Sequence, residues 1–155
     1  MPAPTGPLVT TDWLAAHLDA PDVRVFDCTV GFMAEGSTLR FPSGRPIYDA
    51  AHIPGAAFAD LTQGLNLHDE GENWFTLPAP ATLAREAGAL GIGDGLTVVL
   101  YDQGPSMWAA RLWWQLRQLG FDALVLDGGF KKWRAEGRHQ TAEPATYPAA
   151  TLTPR

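Results

Sequence analysis

Apolar positions along the chain fall into short runs that alternate between two periods. "LVTTDWLAAHL" supplies a Thr cap, an early Asp12 and apolar residues at helical spacing, which predicts a helix from about Thr11. "VRVFDCTV" is a β-branched apolar run behind a Pro21-Asp22 turn and predicts a buried strand. In "AHIPGAAFADL", Pro54 and Gly55 force a turn before a short apolar segment of strand character. "LPAPATLAREAGALGI" opens on proline, sets Leu83, Ala87 and Leu90 on one face and closes at glycine, so it predicts a helix.

The pattern then repeats twice. "VVLYDQGPSMWAARLWW" runs from strand through a glycine-containing loop into a helix that Gly120 stops. "ALVLDGGFKKWRAEG" is a strand, a turn through Asp127, Gly128 and Gly129, and a helix stopped at Gly137. Strands alternating with helices over short turns imply right-handed crossovers onto one sheet, giving an α/β fold with a mainly parallel central sheet flanked by helices on both faces. The stretch from Gly31 to Ala51 lacks steady periodicity and is long for a connection, as in a binding loop or lid. "RHQTAEPATYPAATLTPR" replaces periodicity with Pro, Ala and Thr, which suits a linker. One domain over residues 1–137 with a Pro-rich linker or tail over 138–155 is therefore expected.

Composition narrows the partners. At 155 residues, 46% hydrophobic and 18% charged, the chain suits a single folded unit with a full core. A net charge of -6 with scattered Lys and Arg offers little to a phosphate backbone, so nucleic acid is not expected. No apolar run approaches the ~20 residues of a membrane helix, and "MPAPTGPLVT" has no apolar signal core. The expected location is cytoplasmic. The single Cys28 cannot form an internal disulfide.

The loop of Asp102, Gln103, Gly104, Pro105, Ser106 and Met107 stands beyond a strand's carboxyl end and before a helix N-terminus, where α/β sheets collect anionic ligands. A residue ending that strand is placed to attack as a nucleophile, or merely to complement the helix dipole. Here it is the carboxylate of Asp102. A phosphoryl-accepting Asp102 calls for acidic metal ligands nearby, and Gln103-Gly104 provides none. "HDEGENW" offers His68, Asp69, Glu70 and Glu72 as an imitation of an oxygen-rich metal site, but a solvated acidic loop has the same composition. No metal and no cofactor are expected. Trp113 and Trp114, with Leu112, Leu116 and Leu119, belong to a helix apolar around much of its circumference.

"LVTTDWLAAHL", "VFDCT", "YDAAHIPGAAFADL", "GALGI", "VVLYDQG", "AARLWWQLRQLGF" and "LDGGFKKW", in this order from Leu8 to Gly137, resemble the rhodanese (sulfurtransferase) family, specifically the N-terminal half of tandem thiosulfate and 3-mercaptopyruvate sulfurtransferases. The resemblance implies that a persulfide-forming cysteine belongs where this chain has Asp102. A hard oxygen nucleophile cannot carry sulfur, so the chain alone is expected to be inactive. It implies two partners: a second, cysteine-bearing rhodanese domain, covalently linked or separate, and a small anionic sulfur donor. His52, as the histidine of "HIPG", is a substrate-cleft candidate or a structural histidine bonding loop carbonyls. Arg40 and Arg45 are candidate loop cations, and Arg111 either screens an anion or fixes the loop through Asp27 or Asp102. Cys28 has no glycine loop after it to lower its pKa and is expected to be a buried, inert thiol. The alternative is a stand-alone, non-enzymatic rhodanese-like module for binding or regulation.

Overall fold

A computed structural model describes residues 2–67 and 75–155. The acidic segment containing His68, Asp69, Glu70 and Glu72 lies outside the described residues. The elements, in chain order, are β1 (Leu8–Val9), α1 (Thr11–His17), β2 (Val23–Asp27), β3 (Met33–Glu35), β4 (Thr38–Arg40), α2 (Arg45–Ala50), β5 (Ala57–Phe58), α3 (Pro80–Leu90), β6 (Thr97–Tyr101), α4 (Met107–Gln118), β7 (Leu124–Leu126) and α5 (Gly129–Ala135). Thr10 caps α1 by accepting the Trp13 amide, as the sequence predicts.

Five strands form one parallel sheet in the order β1-β7-β6-β2-β5. Side chains of successive strand residues face opposite ways, so each central strand feeds two cores. On β6, Val98 and Leu100 join a cluster with Leu83, Ala87, Leu112 and Leu116 of α3 and α4, whereas Val99 and Tyr101 join Trp13, Leu14, Phe130 and Trp133 of α1 and α5. Both faces of the sheet are thereby covered, which explains why its strands read as continuous apolar runs. No helix among the described residues is long and apolar enough to cross a membrane.

Two stretches differ from the sequence expectation. Residues 31–51 are not an irregular loop: β3 and β4 pair antiparallel, Met33 opposite Arg40 and Glu35 opposite Thr38, and α2 follows. Three-residue strands are too short for a period to show, and every residue of the hairpin is exposed, so no apolar face marked it.

The tail over 138–155 forms no helix or strand, but it is packed against the domain as a strap. Thr141 bridges His52, Ala145 bridges Ala57, Ala150 N donates to Gly88 O at 2.9 Å, and Arg155 N donates to Leu119 O at 3.0 Å. Tyr147 accepts from Val25 N and donates to Gly55 O, and Leu152 is buried. Gly88, inside α3, gives the strap its path: a Cβ there would stand 2.6 Å from Ala150 O. The strap's proline and alanine content reflects an extended segment lying in a groove, a conformation with no period to detect.

Candidate functional site

Strand order reverses between β2 and β6, since β5 lies beyond β2 on one side and β7 beyond β6 on the other. The crevice outside the carboxyl ends of two such strands is the usual ligand position in an open α/β sheet. Here the chain fills that crevice with its own side chains.

Asp102, fully buried, follows β6 and turns its carboxylate into the loop that starts α4. Its Oδ1 accepts the amides of Gly104 at 2.9 Å and Ser106 at 3.0 Å; its Oδ2 accepts those of Trp108 at 3.0 Å and Ala109 at 2.9 Å. Four convergent N–H groups and the positive end of α4 would otherwise suit an external anion. The carboxylate consumes them. Ser106 takes a left-handed φ of 69° to aim its amide, a conformation that costs energy for a residue with a Cβ. From the other side, Phe130 N donates to Asp102 O at 3.2 Å. Gly129 permits that approach, because a Cβ there would meet Asp102 O at 3.1 Å and Ser106 Oγ at 3.2 Å, and its φ is +59°.

Asp27 ends β2 and is the second buried carboxylate of the crevice. Its Oδ1 accepts from the Thr29 amide at 2.9 Å and from the Thr29 hydroxyl, while its Oδ2 accepts from Gln103 Nε2 at 2.9 Å. Gln103 also donates from Nε2 to Ala51 O and from its amide to Thr29 Oγ1. Burial raises the Asp27 pKa above the ordinary carboxylate value, and these hydrogen bonds offset only part of that rise. Sequence reading named Asp27 only as an alternative partner of Arg111 and passed over Thr29. The available signal was an Asp two residues before a Thr at a strand end, the composition of a side-chain turn.

Cys28, next to Asp27 in the chain, is fully buried. Loss of solvent pushes its thiol well above the ordinary range, and the charges of Asp27 and Asp102 push it further. Such a thiol does not ionise near neutral pH and is a poor nucleophile, in agreement with the inert role expected.

The remaining residues singled out in the sequence do not converge on one cleft. His52 is fully buried: its ring stacks on Tyr48 at 3.8 Å, and its two nitrogens lie 2.7 Å from Tyr48 O and 2.7 Å from Glu143 O. It ties α2 to the strap, which is the structural role. Arg111 donates to Asn66 Oδ1 at 3.0 Å and to Phe75 O, so it braces a neighbouring loop and fixes neither Asp27 nor Asp102. Arg40 pairs with Glu35 at 3.3 Å on the hairpin, and Arg45 pairs with Asp49 at 2.9 Å on α2, both exposed.

Two hollows flank the loop, with Gln103, Gly104 and Pro105 as the ridge between them. One, of about 390 Å³, is lined by Val30, Phe32, Phe41, Ile47, Met107 and Trp108 and is strongly apolar. Phe41 packs against Phe32 and Trp108 at centroid distances of 5.9 and 5.8 Å. Phe32 is 65% exposed and Met107 53%, and Met33, Leu39 and Ile47 are exposed nearby in the chain on the hairpin and α2. The other hollow, of about 480 Å³, adds Phe130, Lys131 and Arg134 of α5 to the ridge.

Comparison with known proteins gives a consistent family signal. A family model described as Rhodanese-like domain matches residues 10–136. The chain is 42% identical over 135 residues to a probable 3-mercaptopyruvate sulfurtransferase of Pseudomonas aeruginosa, covering 84% of this chain and 45% of that protein. It is 35% identical over 145 residues to the thiosulfate sulfurtransferase of Bos taurus, covering 89% and 46%. Among solved structures, a 3-mercaptopyruvate sulfotransferase from Escherichia coli superposes with a TM-score of 0.80 at 28% identity, over 97% of this chain and 56% of that one. The 3-mercaptopyruvate sulfurtransferase of Leishmania major gives 0.76 at 30% identity, over 98% and 42%. The chain thus spans less than half the length of these curated relatives.

Proposed function

The chain belongs to the rhodanese-like domain family, and from that membership we propose that it is the catalytically silent N-terminal half of a sulfurtransferase acting on thiosulfate or 3-mercaptopyruvate. One observation carries the reading: the side chain at the head of the loop is a carboxylate that uses all four of its loop hydrogen bonds internally. An oxygen anion in that position binds no sulfur atom, and it occupies the Gly104, Ser106, Trp108 and Ala109 amides that would otherwise face an anionic donor.

The contribution of this half is to wall the cleft of a second, cysteine-bearing rhodanese domain. The apolar hollow beside the loop supports the idea, because Phe32, Ile47 and Met107 expose large side chains that a partner would cover. Covering them also dries the space in which a partner's persulfide would sit. The partner and the sulfur donor both belong to this proposal.

Mass spectrometry tests it. After incubation with thiosulfate or 3-mercaptopyruvate, the chain alone should gain no sulfur, whereas a cysteine-bearing second domain mixed with it should. Addition of sulfur at Cys28 would overturn the reading, as would full transfer activity of the second domain without any binding to this chain.

A further inference from the structure

The strongest unassigned feature is the hollow between the loop and α5. Lys131 and Arg134 line it, three residues apart on a helix and hence on one face. Among the described residues, Arg40, Arg45, Arg85, Arg117 and Arg138 each pair with a carboxylate, whereas Lys131 and Arg134 form no ion pair. In a chain of net charge -6, two cations without a carboxylate partner lining one concave surface set this hollow apart from the apolar one across the ridge. Arg134 is steadied by the Phe130 ring, with its guanidinium carbon 5.6 Å from the centroid.

The place in the fold matters as much as the charge. The hollow opens at the carboxyl edge of the sheet, where ligands of α/β domains gather, and it shares Gln103, Gly104 and Pro105 with the crevice. Asp102 occupies the loop amides and Gln103 spends its side chain on Asp27 and Ala51. The loop amides bonded to Asp102 are therefore taken, and of the two described hollows beside the loop the one on the α5 side is the one that cations line.

We propose that this hollow is a binding site for a small, doubly charged oxyanion, held between Lys131 and Arg134 against the Gln103–Pro105 ridge. Arg134 supplies a planar fork matched to two oxygens of one tetrahedral group, and Lys131 supplies a second positive charge one helical turn away. Sulfate, thiosulfate and phosphate share this chemistry. A polyanion does not fit the observations, because the chain carries a net charge of -6 and the concavity is of small-molecule size. All of its lining residues belong to this chain, so its binding is measured without a second domain.

The test is a titration of the isotopically labelled chain with sodium thiosulfate and with sodium phosphate, followed by amide NMR, against sodium chloride at matched ionic strength. Saturable shifts confined to Gly104, Phe130, Lys131 and their neighbours are expected with both dianions. Lys131→Glu/Arg134→Glu should weaken binding by at least about tenfold, and the milder Lys131→Gln/Arg134→Gln pair should weaken it in the same direction. Shifts that chloride reproduces, or that survive in both double variants, overturn the proposal. Because no second domain and no sulfur transfer enter the measurement, its failure is distinguishable from failure of the sulfurtransferase reading.

Discussion

Gln103 donates from Nε2 to Asp27 Oδ2 at 2.9 Å, and this bond joins the loop after β6 to the end of β2 across the switch-point crevice. Burial raises the Asp27 pKa, so the folded protein binds that proton more readily than the unfolded chain does. The resulting stability is fully present below the ordinary value of 3.8 and is lost as pH rises through the raised value. Asp27→Asn removes this dependence, although its amide group meets the Gln103 donor and costs stability overall. Urea denaturation across acidic to neutral pH should therefore show the wild-type advantage over Asp27→Asn shrinking as pH rises. An advantage independent of pH would contradict the burial argument.

Asp102→Ala leaves four amides facing one another without an acceptor, and the loop should lose roughly 3 kcal/mol of stability, allowing for partial entry of water. Asp102→Asn is the sharper experiment. It keeps one accepting oxygen but turns an amide group toward the other two donors, so it should lose nearly as much as Ala despite its matching shape. Urea midpoints for both variants give the comparison. Recovery of wild-type stability in Asp102→Asn would mean that shape, rather than the paired negative charge, holds the loop.

The parallel sheet and its flanking helices were legible because β2, β6, α3 and α4 each keep one period long enough to read, and the glycines after them mark their ends. The β3–β4 hairpin was not, since three exposed residues per strand carry no apolar alternation. The packing of the linker or tail expected over 138–155 was not legible because its anchors are isolated residues: Tyr147 and Leu152 reach partners far away in sequence. At the site, the residue types singled out the Asp102 loop and a buried Cys28, and both side chains are buried. They offered carbonyl bonding as one alternative for His52 but could not choose it or name Tyr48 and Glu143, nor show that Arg111 turns to Asn66, because side-chain direction depends on tertiary neighbours.

Cys28 should resist thiol reagents in the native protein. Its side chain is fully buried and its thiol is held protonated by burial and by two neighbouring carboxylates. Labelling with an aromatic disulfide reagent should then proceed only through global opening, at a rate that rises with urea in step with unfolding. Stoichiometric labelling of the folded chain within the mixing time would show that the crevice opens locally, and would restore Cys28 as a candidate for sulfur chemistry.

The strap contributes stability through few, well-separated contacts. Leu152→Ala empties a buried site between the strap and the α3–β6 side of the sheet and should cost about 2 kcal/mol. Tyr147→Phe removes the hydroxyl that accepts from Val25 N at 2.9 Å and donates to Gly55 O at 2.9 Å, leaving the Val25 amide of β2 without that acceptor, and should cost about 1–2 kcal/mol. Tyr147→Phe removes hydrogen bonds to Val25 and Gly55 while Leu152→Ala removes only apolar burial, so the double variant should lose close to the sum. A chain ending at Gly137 loses both anchors and the His52–Glu143 contact together, and it should unfold well below the wild-type temperature in a calorimetric scan. A truncated chain with an unchanged transition would show that the strap rests on the surface without stabilising it, and that 1–137 is an autonomous domain after all.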